Sequence, residues 1–162
     1  MKNALLDFDA KPDLNLAESG CELKTHYCGL GKARICLGDD DVLRVNNRPI
    51  IPFIHHSQSR GSELAAIDIE PELRNLQLIN ASIAGFLWRN PSFQPRNWAD
   101  QLDINGIGNP SAGGGIIFWG SRIKQISGRI GLPILQQLHG KLIISILDLE
   151  RVLSLKASAI IL

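Results

Sequence analysis

Residues 64–88, LAAIDIEPELRNLQLINASIAGFLW, make the longest apolar-rich region in the middle of the chain, and the fold class turns on how they are read. Pro71 divides the run, because proline has no backbone N–H to donate and its ring crowds a preceding helical turn. Beyond it, LRNLQLINA alternates apolar and polar residues as a half-buried strand does. Leu73, Leu76 and Ile79 would also suit one face of a short helix. Residues 64–87 therefore fit both readings. We take 76–80 as a strand, which makes strands the main element of the chain.

Upstream, ELKTHYC and KARICL flank Gly29-Leu30-Gly31 and suggest a hairpin with strands over 23–28 and 32–37. VLRV at 42–45, then Asn46-Asn47, then an apolar run over 50–54 suggests a second hairpin. Pro49 and Pro52 push its return strand to a sheet edge. Residues 57–63 are a polar loop, and 89–98, with two prolines and two asparagines, form a connection.

Downstream, ADQLDING offers a helical turn that stops at Gly106, and IIFW at 116–119 is a buried strand. Gly131 and Pro133 confine any helix in 127–140 to 133–139. LIISILDL at 142–149 is the strongest strand candidate. The apolar end, ASAIIL, either docks into the core, pairs with another chain, or marks a shortened gene product. The pattern predicts an α+β fold. It is a single mixed domain over 21–162, mainly antiparallel strands with a few short helices, behind a loosely ordered N-terminal arm over 1–20.

The composition fits one globular domain. The chain has 162 residues, 44% of them apolar and 20% charged. Seventeen basic against sixteen acidic residues leave a net charge of +1, so neither nucleic acid nor an acidic membrane is implied as a partner. No run reaches the roughly 18 apolar residues that span a bilayer. Asp7, Asp9 and Asp13 interrupt any signal-peptide core, so the expected location is cytoplasmic. Three cysteines in such a compartment do not suggest a disulfide framework.

Several clusters invite a chemical reading. Cys21, His26, Cys28 and Cys36 lie within sixteen residues, but only His26 and Cys28 have a spacing near that of zinc ligands. Buried thiols are the plainer reading. His55-His56 follow an apolar strand and precede a polar loop, with Asn75 further on. That arrangement resembles the HNH nucleases, which implies a histidine base beside a metal-bound phosphate. A solvated histidine pair at a strand end is the structural alternative. Gly38-Asp39-Asp40 resembles the metal-binding turn of RNA polymerase palms, but as a hairpin turn it needs only water. The chain has no nucleophile elbow and no phosphate-binding loop, and no cofactor is implied.

Residues 99–122, ADQLDINGIGNPSAGGGIIFWGSR, resemble part of the C-terminal domain of contractile-tail sheath proteins, especially those of P2-like phages. The matching positions are Ala99, Asp100, Leu102, Gly106, Ile107, Gly115, Phe118, Trp119, Gly120, Ser121 and Arg122. The resemblance implies a non-enzymatic, self-assembling structural protein of a virion, a homo-oligomer to which other proteins can bind. Trp119 and Arg122 would lie at or near its interfaces, and strands would be exchanged between subunits. Read physically, Trp119 anchors a core, and Arg122 has a fixed direction that suits a carboxylate on a neighbouring subunit. A small metal-dependent nuclease using His55 or His56 and a soluble interaction domain are the competing readings.

Overall fold

Asn80 ends the alternation that its neighbours suggest, because it begins a helix. The computed structural model describes residues 1–16, 20–26, 28–56, 64–98, 102, 114–149, 152–153 and 157–161. Its strands are β1 (Lys2–Asp7), β2 (Glu22–His26), β3 (Lys32–Leu37), β4 (Leu43–Val45), β5 (Arg48–Phe53), β6 (Leu64–Ala65), β7 (Gln77–Leu78), β8 (Ile116–Ile117), β9 (Ser121–Lys124), β10 (Ile130–Leu138), β11 (Lys141–Asp148), β12 (Val152–Leu153) and β13 (Ala157–Ile161). The helices are α1 (Ala66–Leu73) and α2 (Ala81–Arg89).

The 64–88 stretch thus holds two helices and two short strands, and the strand expected over 76–80 shrinks to Gln77–Leu78. In α1, Ile69 and Leu73 stand four residues apart and are both buried, so one narrow stripe faces the core. Pro71 lies inside α1, the sixth of its eight residues, so the helix is short and carries the proline within it. Every residue of α2 from Ala81 to Leu87 is buried. A helix buried on every side over these residues has no solvent face to set off a core stripe, so its period is hard to read from the sequence. Gly85 allows close approach: a Cβ there would lie 3.2 Å from the Asp13 carbonyl oxygen.

Among the described residues, eleven strands join in one sheet along the path β1-β3-β4-β5-β13-β8-β10-β9-β2, with β11 on β10 and β7 on β13. The pairings are antiparallel except β13 with β8. The fold is α+β and mainly antiparallel. The sheet curls around α2, which contacts β1, β10 and β11. Its two ends meet at the start of that helix, where the Asn80 side chain bonds both the Phe8 carbonyl just past β1 and His26 at the end of β2. Among the described residues no helix is long and apolar enough to cross a membrane.

Three expectations about the elements are corrected here. The N-terminal arm is not loose, since β1 pairs with β3 over its whole length and Phe8 is fully buried. β2 and β3 do not form a hairpin: β2 pairs with β9, while β3 joins β1 and β4. β5 lies inside the sheet path, not at an edge. Its pairing is staggered, with β4 beside Arg48 and Pro49 and β13 beside residues 50–53, so among the described residues each proline is paired on one side.

Residues 133–139 are strand rather than helix. Pro133 pairs with Ile146 on one side, and on the other faces the gap between β8 and β9, where Phe118 N–H donates to its carbonyl. His139 and Gly140, both at positive φ, close the β10–β11 hairpin. Asn46-Asn47 does turn β4 into β5 as expected, again with both residues at positive φ. The helical turn expected at 99–106 lies outside the described residues except for Leu102, which is buried.

Candidate functional site

The turn after IIFW is held from inside. Phe118 is fully buried, and Trp119, 4% exposed, packs with Ile69 and Leu73 of α1 and with Ile117, Leu132, Ile134 and Leu147. Gly120 carries the chain round into β9. Ser121 N–H donates to the Phe118 carbonyl, and Ser121 Oγ accepts from Ala81 N–H at 2.9 Å. That contact satisfies one of the first amides of α2, while Asn80 Oδ1 accepts from Ser82 N–H and satisfies another.

Arg122 lies over the Trp119 ring, 5.8 Å from guanidinium carbon to ring centroid, and pairs with Glu70 of α1. Of the two residues named for an interface, Trp119 is buried and Arg122 is half-buried. The carboxylate expected from a neighbouring subunit is supplied by the same chain.

His26 is the centre of a polar network that the sequence did not suggest. Its Nδ1 lies 3.1 Å from Ser121 Oγ, and its Nε2 lies 3.0 Å from both Ser82 Oγ and Asn80 Nδ2. Asn80 is oriented by its other bonds: its amide N–H donates to the Phe8 carbonyl and its oxygen accepts from Ser82. Nε2 therefore meets an N–H and remains unprotonated, with the ring proton on Nδ1 facing Ser121. Burial pushes the His26 pKa down, against the Phe8 and Ala10 carbonyls and Asp9, which favour the charged ring.

A histidine whose folded pKa is depressed takes up its proton more readily when unfolded. Its contribution to stability is complete above the ordinary value of 6.5 and is lost as pH falls through the lower folded value. Urea unfolding at stepped pH below 6.5 is expected to show falling stability. In His26→Gln that part of the slope should be absent. An unchanged slope would refute the assignment to His26.

The cysteines do not gather round this histidine as metal ligands. Cys21 and Cys28 are half-buried, Cys36 is buried on β3, and none is in a disulfide. Burial raises the Cys28 thiol to about 11, so it holds its proton at neutral pH. The three aspartates of the 39–41 turn each have a structural partner. Asp39 pairs with the N-terminal amine and Asp40 with Arg44, and Asp41 accepts from the backbone N–H groups of Arg96 and Asn97.

The group that comes within metal-binding distance, among the described residues, is His55, His56 and Glu72, whose donor atoms all lie within 4.8 Å of one another. His55 follows β5 and is buried, not solvated as a strand-end pair would be, while His56 is exposed. Their ring centroids are 4.3 Å apart, and His55 Nε2 lies 2.7 Å from Glu72 Oε1. Asn75, expected to orient the histidines, is exposed in the turn after α1; the third member of the cluster is Glu72. Nothing in the local sequence marks Glu72. It meets His55 across seventeen residues only because Ile69 and Leu73 seat α1 on the core. Compared with known protein families, with curated proteins and with solved structures, the chain finds no match.

Proposed function

We propose that this protein is a structural protein that works by associating with copies of itself, the class implied by the sheath resemblance. The observation that carries this reading is the β1 edge. Among the described residues β1 pairs with β3 alone, and on it Leu5 is 70% exposed. An unpaired strand edge is a template for another strand, and no proline or bulge blunts this one.

An antiparallel pair of β1 strands, centred on a two-fold axis at Leu5, sets each Leu5 against its copy and Asn3 against the partner's Asp7. No like charges oppose each other. The C-terminal run is not the route of exchange supported here, because β13 already lies between β5 and β8 of its own sheet.

Leu5→Lys tests the reading, since an exposed position can take a charge without unfolding the chain. Light scattering across a concentration series should give a mass above the monomer for the parent protein. The variant should be a monomer with the same melting temperature. A parent protein that stays monomeric at every concentration, or a variant that associates equally well, overturns the proposal.

A further inference from the structure

We propose that His55, His56 and Glu72 bind one divalent transition-metal ion. This inference stands apart from self-association. Two imidazoles and a carboxylate are a donor set that suits zinc and its neighbours, whereas magnesium and calcium prefer all-oxygen shells. Zinc bonds of about 2.1 Å in tetrahedral geometry place donors about 3.4 Å apart. The three donor atoms already lie within 4.8 Å of one another, so closing round an ion requires shifts of no more than roughly 1.4 Å.

Burial divides the work within the cluster. His55 is held in the protein at the end of β5, and α1 is held by Ile69 and Leu73. His56 and Glu72 are exposed, and their side chains can adjust to the ion. His55 Nε2 and Glu72 Oε1 already lie at hydrogen-bonding distance. The third, His56, stands ring against ring with His55 and completes a triad open to solvent on one side. Three protein donors leave at least one coordination position for water, the arrangement of catalytic rather than structural zinc sites.

The experiment is calorimetric titration of the full-length, chelator-treated protein with zinc, and separately with magnesium. Zinc is expected to saturate at about one ion per chain, and magnesium to give no saturable binding. Glu72→Gln and His56→Ala alter exposed positions and should leave the fold intact by circular dichroism. Each should weaken zinc binding by more than about tenfold, the loss that even an outer partner of a metal ligand can cause. Cys28→Ser, as a control for the other candidate cluster, should bind like the parent. The inference is overturned if zinc does not saturate, if Glu72→Gln and His56→Ala bind as tightly as the parent, or if Cys28→Ser is the variant that loses the ion.

Discussion

Trp119→Ala is expected to lower folding stability by about 3 to 5 kcal/mol, the range for emptying a large aromatic site in a core. Trp119 is 4% exposed and touches both α1 and the β8–β10 layer, so no single neighbour can move in to fill the space. Its loss also removes the surface over which Arg122 lies before it reaches Glu70. For a domain whose total stability is about 5 to 15 kcal/mol, much of the folded population would go.

Trp119→Phe should behave very differently. The indole N–H is buried and finds no acceptor among the described residues, so tryptophan carries a desolvation penalty that phenylalanine lacks. That relief offsets part of the smaller volume, and a change of under about 1.5 kcal/mol is expected. Urea denaturation of both variants checks the pair. If Trp119→Ala lost less than 2 kcal/mol, roughly the lower bound for large core deletions, the anchoring role would be wrong.

Asn80→Ala is expected to cost about 2 to 4 kcal/mol. The side chain caps α2 through Ser82 N–H, and losing a cap of this type removes about 1 kcal/mol. Its amide also serves the Phe8 carbonyl and His26 Nε2 in a fully buried position, and each buried group left without a partner adds roughly 1 to 3 kcal/mol. These terms share one network and do not add fully, which sets the upper end. The same substitution should raise the His26 pKa, because Nε2 no longer faces an N–H and is able to carry a proton. NMR titration of the His26 ring reads this directly, and urea unfolding reads the stability. A loss of under 1 kcal/mol, no more than a cap alone explains, would mean that the two ends of the sheet do not depend on Asn80.

Where local physics is enough, the sequence reads well. KARICL is a strand over 32–37 because alternating Ala33, Ile35 and Leu37 bury one face. Asn46-Asn47 forms the hairpin turn because asparagine tolerates positive φ. The strand expected at 142–149 is seen at Lys141–Asp148. The role of Trp119 as a core anchor was equally legible, since a large aromatic between glycines has little else to do. His139-Gly140 was a turn signal of the same kind, but Pro133 drew attention to a helix instead.

The candidate sites were only half legible. His55 and His56 stood out by type, and their third partner did not, because a metal-sized cluster depends on which side chains meet in space. Asn75 was the nearer guess by sequence pattern. Glu72 was the residue that the seating of α1 brought within reach. Arg122 meets the carboxylate of Glu70 from within the chain, a partner that no local pattern marks.

By itself the sequence determined the strand-rich α+β class, the Asn46-Asn47 hairpin and the burial of the IIFW segment. Each follows from interactions within about ten residues: side-chain alternation, turn stereochemistry and the size of the side chains. Only the tertiary structure decided that 81–89 is a helix, that Pro133 lies in a strand, and that β2 and β3 part company. α2 is buried from Ala81 to Leu87 because it lies against β1, β10 and β11, and no local pattern reports such distant neighbours. Pro133 is tolerated because its carbonyl still accepts from Phe118 N–H, while the Phe118 carbonyl opposite its missing N–H takes the Ser121 N–H instead. β2 leaves β3 because its partner, β9, lies almost a hundred residues further along the chain. The choice between such partners is made by the total surface they bury, which no short stretch contains.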